Sequence, residues 1–192
     1  MKIFFRRLGL AIMCGFAVLG IIVTAAQNSQ KAIASNVFRL HVVADSDSIQ
    51  DQSLKLKVRD GILEFLSEFD DARTAAAENL PKIQQIAQSI VDREGQQYGA
   101  QASIGEFAFP TKSYGDIALP AGKYDALRVT LGSGQGQNWW CVIYPNICII
   151  GDSAAISTEG REQLQGTLSK GDFALVTGES PLKFRILELF KE

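Results

Sequence analysis

Between Leu8 and Ala26 the chain runs without a single charge, and Lys2, Arg6 and Arg7 stand before that run (MKIFFRRLGLAIMCGFAVLGIIVTAA). No other feature limits the fold so strongly. A helix with no polar face does not sit at the surface of a soluble core. The run does suffice to enter a bilayer, which takes about 20 apolar residues. A basic start, an apolar middle and the small residues Thr24 and Ala26 also describe a secretory signal. A cleaved signal and a retained anchor both fit, and in either case the basic flank stays cytoplasmic and the body is exported. Cys14 follows the large Met13, which does not suit lipidation, so it is expected to ride inside the apolar helix.

The remaining organisation follows from charge and punctuation. Taking three leader cations from 19 Lys+Arg leaves 16 against 21 Asp+Glu, a formal net of −5 for the body. An acidic exported body with no basic stripe is not built to bind nucleic acid. Residues 27–36 are polar and read as a tether; residues 37–192 suit one extracytoplasmic domain with its own core.

Val37–Ala44 (VFRLHVVA) has the β-branched texture of a strand. Leu54, Val58, Ile62, Phe65 and Phe69 recur at helical spacing, with Leu56 and Leu63 on another face. Asp47 or Ser48 is the expected N-cap. Ala76, Leu80, Ile83, Ala87 and Ile90 form a second stripe, with a break expected at Pro81 and a stop at Gly95. Strands are expected at Ala102–Phe109, Ala126–Leu131, Asn138–Ile143, Ile147–Ile150 and Phe173–Thr177. The tail PLKFRILELFKE fits a strand or a helix. Strand, two helices and a run of strands predict an α+β fold, with the two helices packed on one face of a mainly antiparallel sheet.

Each chemical motif has a plainer reading beside it. Asp45, Asp47 and Asp51 in DSDSIQD resemble a calcium loop, but position six is Gln50 and position twelve is Leu56, where Gly and Glu are required; helix capping is preferred. Gly132, Gly134 and Gly136 lack the Lys-Ser/Thr and the helix of a phosphate loop, so hairpin turns are preferred. Cys141 with His41 is a weak thiol–imidazole candidate, and one His with two Cys lacks metal-site spacing. A Cys141–Cys148 disulfide suits an exported chain and is worth about 2–3 kcal/mol if unstrained. The alternative is two buried free thiols. That bridge sets Val142 opposite Ile147, whereas a tight turn on Pro145-Asn146 separates the sulfurs. Trp139 and Trp140 leave opposite faces of one strand, so one enters the core while the other is covered or offered to a partner. No catalytic residue, cofactor or metal is expected.

Three blocks, FRLHVVADSDSIQDQSLKLKVRD, FPTKSYGDIALPAGKYDALRVTLG and GQNWWCVIYPNIC, together resemble the stage II sporulation protein R family, over residues 37 to 150. The resemblance implies a secreted intercellular signal, released by the forespore into the space between two membranes. It also implies that a membrane-embedded aspartic protease needs this signal to process the precursor of sigma factor E. The chain is then an activator that works by contact. Expected contacts are Trp139, Trp140, Tyr144, Arg39, Asp45, Arg59 and Lys112. Asp45 stands where the family usually has Asn, and Pro145-Asn146 where a proline pair is common. An exported glycan-binding module and a Cys-dependent hydrolase are the alternative readings.

Overall fold

The computed structural model describes residues 2–147 and 158–179. Helix α1 (Lys2–Ser35) leads into strand β1 (Phe38–Val43), followed by helices α2 (Ile49–Leu66), α3 (Ala72–Glu78) and α4 (Leu80–Arg93). Strands β2 (Ala100–Phe109), β3 (Lys112–Tyr114), β4 (Ile117–Leu119), β5 (Gly122–Leu131) and β6 (Asn138–Tyr144) come next, then helices α5 (Thr158–Thr167) and α6 (Lys170–Val176). The sheet runs β2-β5-β1-β6, with β3 and β4 as a separate hairpin. β1 pairs parallel with β5 and antiparallel with β6, and β2 pairs antiparallel with β5. The α+β expectation holds, with one parallel pair in an otherwise antiparallel sheet.

Local chemistry sets the helix ends. Ser48 is the N-cap of α2, its Oγ accepting from the Asp51 amide at 3.1 Å while donating to the Asp51 carboxylate at 2.9 Å. This reciprocal pair satisfies amides that the helix itself leaves free. The break expected at Pro81 is found at Asn79, and Pro81 sits in the first turn of α4, where its missing donor costs nothing. Gly95 ends α4 at φ 75°.

The sheet is covered on both faces. On one, Leu54, Val58 and Ile62 of α2 and Ile83, Ala87 and Ile90 of α4 pack on Leu40, Val42, Leu127, Val129 and Cys141. On the other, Ile33, Ile117, Leu119, Leu164, Leu168, Phe173 and Val176 enclose Tyr124, Ala126 and Val142. β1, central and covered twice, is buried at all six positions.

Five details depart from the sequence reading. Residues 27–35 are not a loose tether: they continue α1, and Ile33 is only 1% exposed. Phe173–Thr177 is not a strand, because Ser169 caps α6 and the three-residue spacing of Phe173 and Val176 places both in the core. The β3–β4 hairpin was too short to show a period. Phe69, assigned to the α2 stripe, lies beyond the helix and is 39% exposed, whereas Leu63 and Leu66 are buried. Of the expected strand Ile147–Ile150, Ile147 is buried outside β6, its amide donating to Pro145 O at 2.8 Å; residues 148–150 lie outside the described residues, as does the tail from 180.

Candidate functional site

The glycine-rich loop after β5 is held by the turn after β1. Ser133 N donates to Asp45 Oδ1 at 2.5 Å, Gln135 N to Asp45 O at 3.1 Å, Gly136 N to Ala44 O at 2.9 Å and Gln137 N to Asp47 Oδ1 at 2.8 Å. A Cβ on Gly136 would lie 2.3 Å from Ser46 O, and one on Gly132, at φ 54°, 2.1 Å from Asp45 Oδ1. The glycines therefore permit close approach of two backbones, and these loop amides are occupied. Lys55 extends the clasp to α2, donating to Gln137 O at 3.0 Å and Gln52 Oε1 at 2.6 Å. Asp51 accepts from Ser46, Ser48 and Tyr98, the last at 2.5 Å. Hydrogen bonds from the Ser46 and Tyr98 hydroxyls hold its carboxyl below the ordinary range. Asp45 thus serves an internal clasp.

The tryptophan pair straddles the sheet as the alternation requires. Trp139, opposite Val42, lies on the α2 side, with the Arg59 guanidinium 4.3 Å from its ring centre. Arg59 is 2% exposed and bonds Asp60 at 2.7 Å. Trp140, opposite His41, stacks on that imidazole at 3.8 Å and 17° and meets Phe109 edge-on at 4.7 Å. Each tryptophan is half-buried, so neither stands free.

Beneath Trp140 lies a buried cation held by aromatic rings and neutral oxygens. Arg39 is fully buried, its guanidinium 4.1 Å from the Phe109 ring centre and 4.8 Å from that of Tyr124. It donates to Tyr114 Oη at 2.7 Å and to Cys141 O at 3.4 Å, and Tyr114 Oη donates on to Trp140 O at 3.2 Å. Burial lowers the Arg39 pKa and pushes Tyr124 up to about 12. Arg39, buried between the two, binds the β3–β4 hairpin to the sheet. Phe109, Tyr114 and Tyr124 were not foreseen, because only the tertiary fold brings them to Arg39.

His41 and Cys141 do not form a catalytic pair. Cys141 stands opposite Leu40 and His41 opposite Trp140, so their side chains leave opposite faces of the sheet. His41 Nε2 contacts Asn138 Oδ1 at 2.7 Å, and burial lowers its pKa to about 4. Cys141 is disulfide-bonded, and Cys14 is the free cysteine among the described residues. Cys148 lies outside the described residues. No group of three His, Cys, Asp or Glu able to hold a metal occurs among the described residues.

Of the expected contacts, Tyr144 reaches an opening. It lines a cleft of roughly 240 Å³ with Leu63, Leu66, Phe69, Ile143 and Asn146. Lys112 begins β3, half-exposed. The seven residues are thus divided among both sheet faces, the loop clasp, the cleft and the hairpin, and do not form one surface.

A family model described as stage II sporulation protein R matches residues 34–154. Stage II sporulation protein R of Bacillus subtilis (strain 168) is 33% identical over 148 residues, which is 73% of this chain and 66% of the relative, just under two thirds of its length. No solved structure matches.

Proposed function

The chain belongs to the stage II sporulation protein R family, and from that premise we propose that it is an intercellular sporulation signal that acts by contact. Its partner is a membrane-embedded aspartic protease that processes the precursor of sigma factor E. The family match carries this reading, since it covers β1 through β6 and both the loop clasp and the aromatic stacks. Export rests on α1, whose Ile12–Ser35 portion has the length and mean hydropathy (1.6) of a membrane span or a signal.

The geometry is consistent with binding rather than chemistry. His41 and Cys141 are separated by the sheet, and the glycine loop is occupied by Asp45 and Asp47. A disulfide from Cys141 to Cys148 braces the end of β6. A glycan platform needs free aromatic faces, and one face of each tryptophan is already taken, Trp139 by Arg59 and Trp140 by His41. For contact to activate the protease, the domain must bind its active arrangement more tightly than its inactive one.

The test is co-expression of full-length chain, protease and sigma precursor in a non-sporulating host. Cleavage is expected only when all three are present. Cleavage at the same rate without this chain would remove the activator role.

A further inference from the structure

Among the described residues no strand pairs with the outer edge of β2. All ten of its residues pair in unbroken register with β5, and its sequence, AQASIGEFAF, contains no Lys, Pro or bulge. Edge strands are usually blunted by such devices or by other charges, and Glu106 is the one charged residue of this strand. In an antiparallel pair a residue turns both its N–H and its C=O either toward its partner strand or away from it. Ala100 N donates to Gln88 Oε1 at 2.7 Å and Ala102 N to Gln84 Oε1 at 3.1 Å, so the even-numbered residues of β2 face outward. The glutamines of α4 stop there. The outward N–H and C=O groups of Ile104, Glu106 and Ala108 continue the edge, with no such acceptor supplied by the described residues. Ile104 adds an apolar side chain that is 37% exposed.

We propose that this edge, from Ile104 to Ala108, takes an extended segment of a partner chain as an added strand. The segment carries a basic side chain beside Glu106 and an apolar one beside Ile104. Charge selects this occupant over a second copy. Two copies pairing antiparallel over these residues would set Glu106 directly against Glu106, which repels. The Lys123–Glu106 pair at 3.0 Å is exposed on both sides and is easily exchanged for a partner's cation. Backbone bonds supply the attachment, and the Ile104 and Glu106 side chains supply the selectivity. The choice of partner rests on the proposed function; the geometry of the edge does not.

The experiment uses Glu106→Pro and Ile104→Lys in the full-length chain, expressed in the sporulating organism that makes it. Proline at 106 removes an amide that points away from β5, so the ladder to β5 stays intact. Heat-resistant spores should fall at least tenfold for both variants, with protein level and melting temperature close to wild type. Wild-type spore counts for both variants overturn the proposal. If either variant melts early, hydrogen exchange on the wild-type chain decides. Slowed exchange at Ile104, Glu106 and Ala108 in its complex with the protease supports the edge, and unchanged exchange overturns it. A wild-type dimer that Glu106→Pro dissociates also overturns it, since the occupant is then a second copy. The same variants in the co-expression host separate the two ideas. Without cleavage by the wild-type chain the activator reading fails alone, while the spore counts still judge the edge.

Discussion

At the residue scale, two positions carry measurable consequences. His41 is buried, stacked on Trp140, and held near pKa 4 chiefly by desolvation, with Arg128 and Arg39 nearby. An unfolded histidine titrates near 6.5. Between those values the unfolded chain binds a proton that the folded chain refuses. Stability is therefore full above about pH 6.5 and declines as pH falls toward 4, by up to about 3 kcal/mol. Urea denaturation from pH 4 to 7.5 should show this slope flattened in His41→Gln relative to wild type. Gly136 is the second position. Its missing Cβ makes room for Ser46 O at 2.3 Å, a backbone atom that cannot move aside cheaply, whereas a Cβ at Gly99 would meet nothing nearer than 3.7 Å. Gly136→Ala should cost about 2 kcal/mol or more, and Gly99→Ala less than about 1 kcal/mol, in the same denaturation assay.

At the element scale, α1 matters most, because it belongs to two environments. Its stretch from Leu8 to Ala26 is uncharged, and its last two turns are built into the domain. Ile33 is buried against the second core, and Asn36 Nδ2 donates to Ala32 O at 2.8 Å. Arg73 Nη2 donates to Ser35 O at 3.3 Å and Val37 O at 3.0 Å, closing the helix end onto α3. The folding unit thus begins near residue 27. A body starting at Gln27 should unfold as one cooperative transition. A body starting at Val37 should lose about 2–4 kcal/mol from the absent Ile33 alone, read as a lower denaturant midpoint. Equal midpoints for the two would return 27–36 to the role of a linker.

At the scale of the whole molecule, the two sheet faces separate what pattern can reveal from what it cannot. Under the proposed Cys141–Cys148 bridge, Cys141→Ser should lower stability by about 2–3 kcal/mol while leaving part of the signalling in the co-expression assay; complete loss with the fold intact would instead assign the sulfur a chemical role. The α2 and α4 stripes and the strands β1, β2, β5 and β6 were legible because each repeats a period along its own length. So was the placement of Trp139 and Trp140 on opposite faces, since alternation in a strand is local. The short β3–β4 hairpin, helix α6 and the buried end of α1 were not, because each is stabilised by the second core and shows little period of its own. The candidate contacts were the least legible. Arg39, Arg59 and Asp45 carry charges that composition places at the surface, yet aromatic rings, a hairpin tyrosine and a glycine loop distant in sequence enclose them. By itself, then, the sequence determined the apolar leader, the α+β class, the start of α2 at Ser48, the stop of α4 at Gly95 and the family, all of which depend on residues near one another along the chain. Tertiary structure alone decided which charges are buried, that His41 and Cys141 are separated by the sheet, and that β2 has no second strand beside it among the described residues, because each depends on partners that only folding brings together.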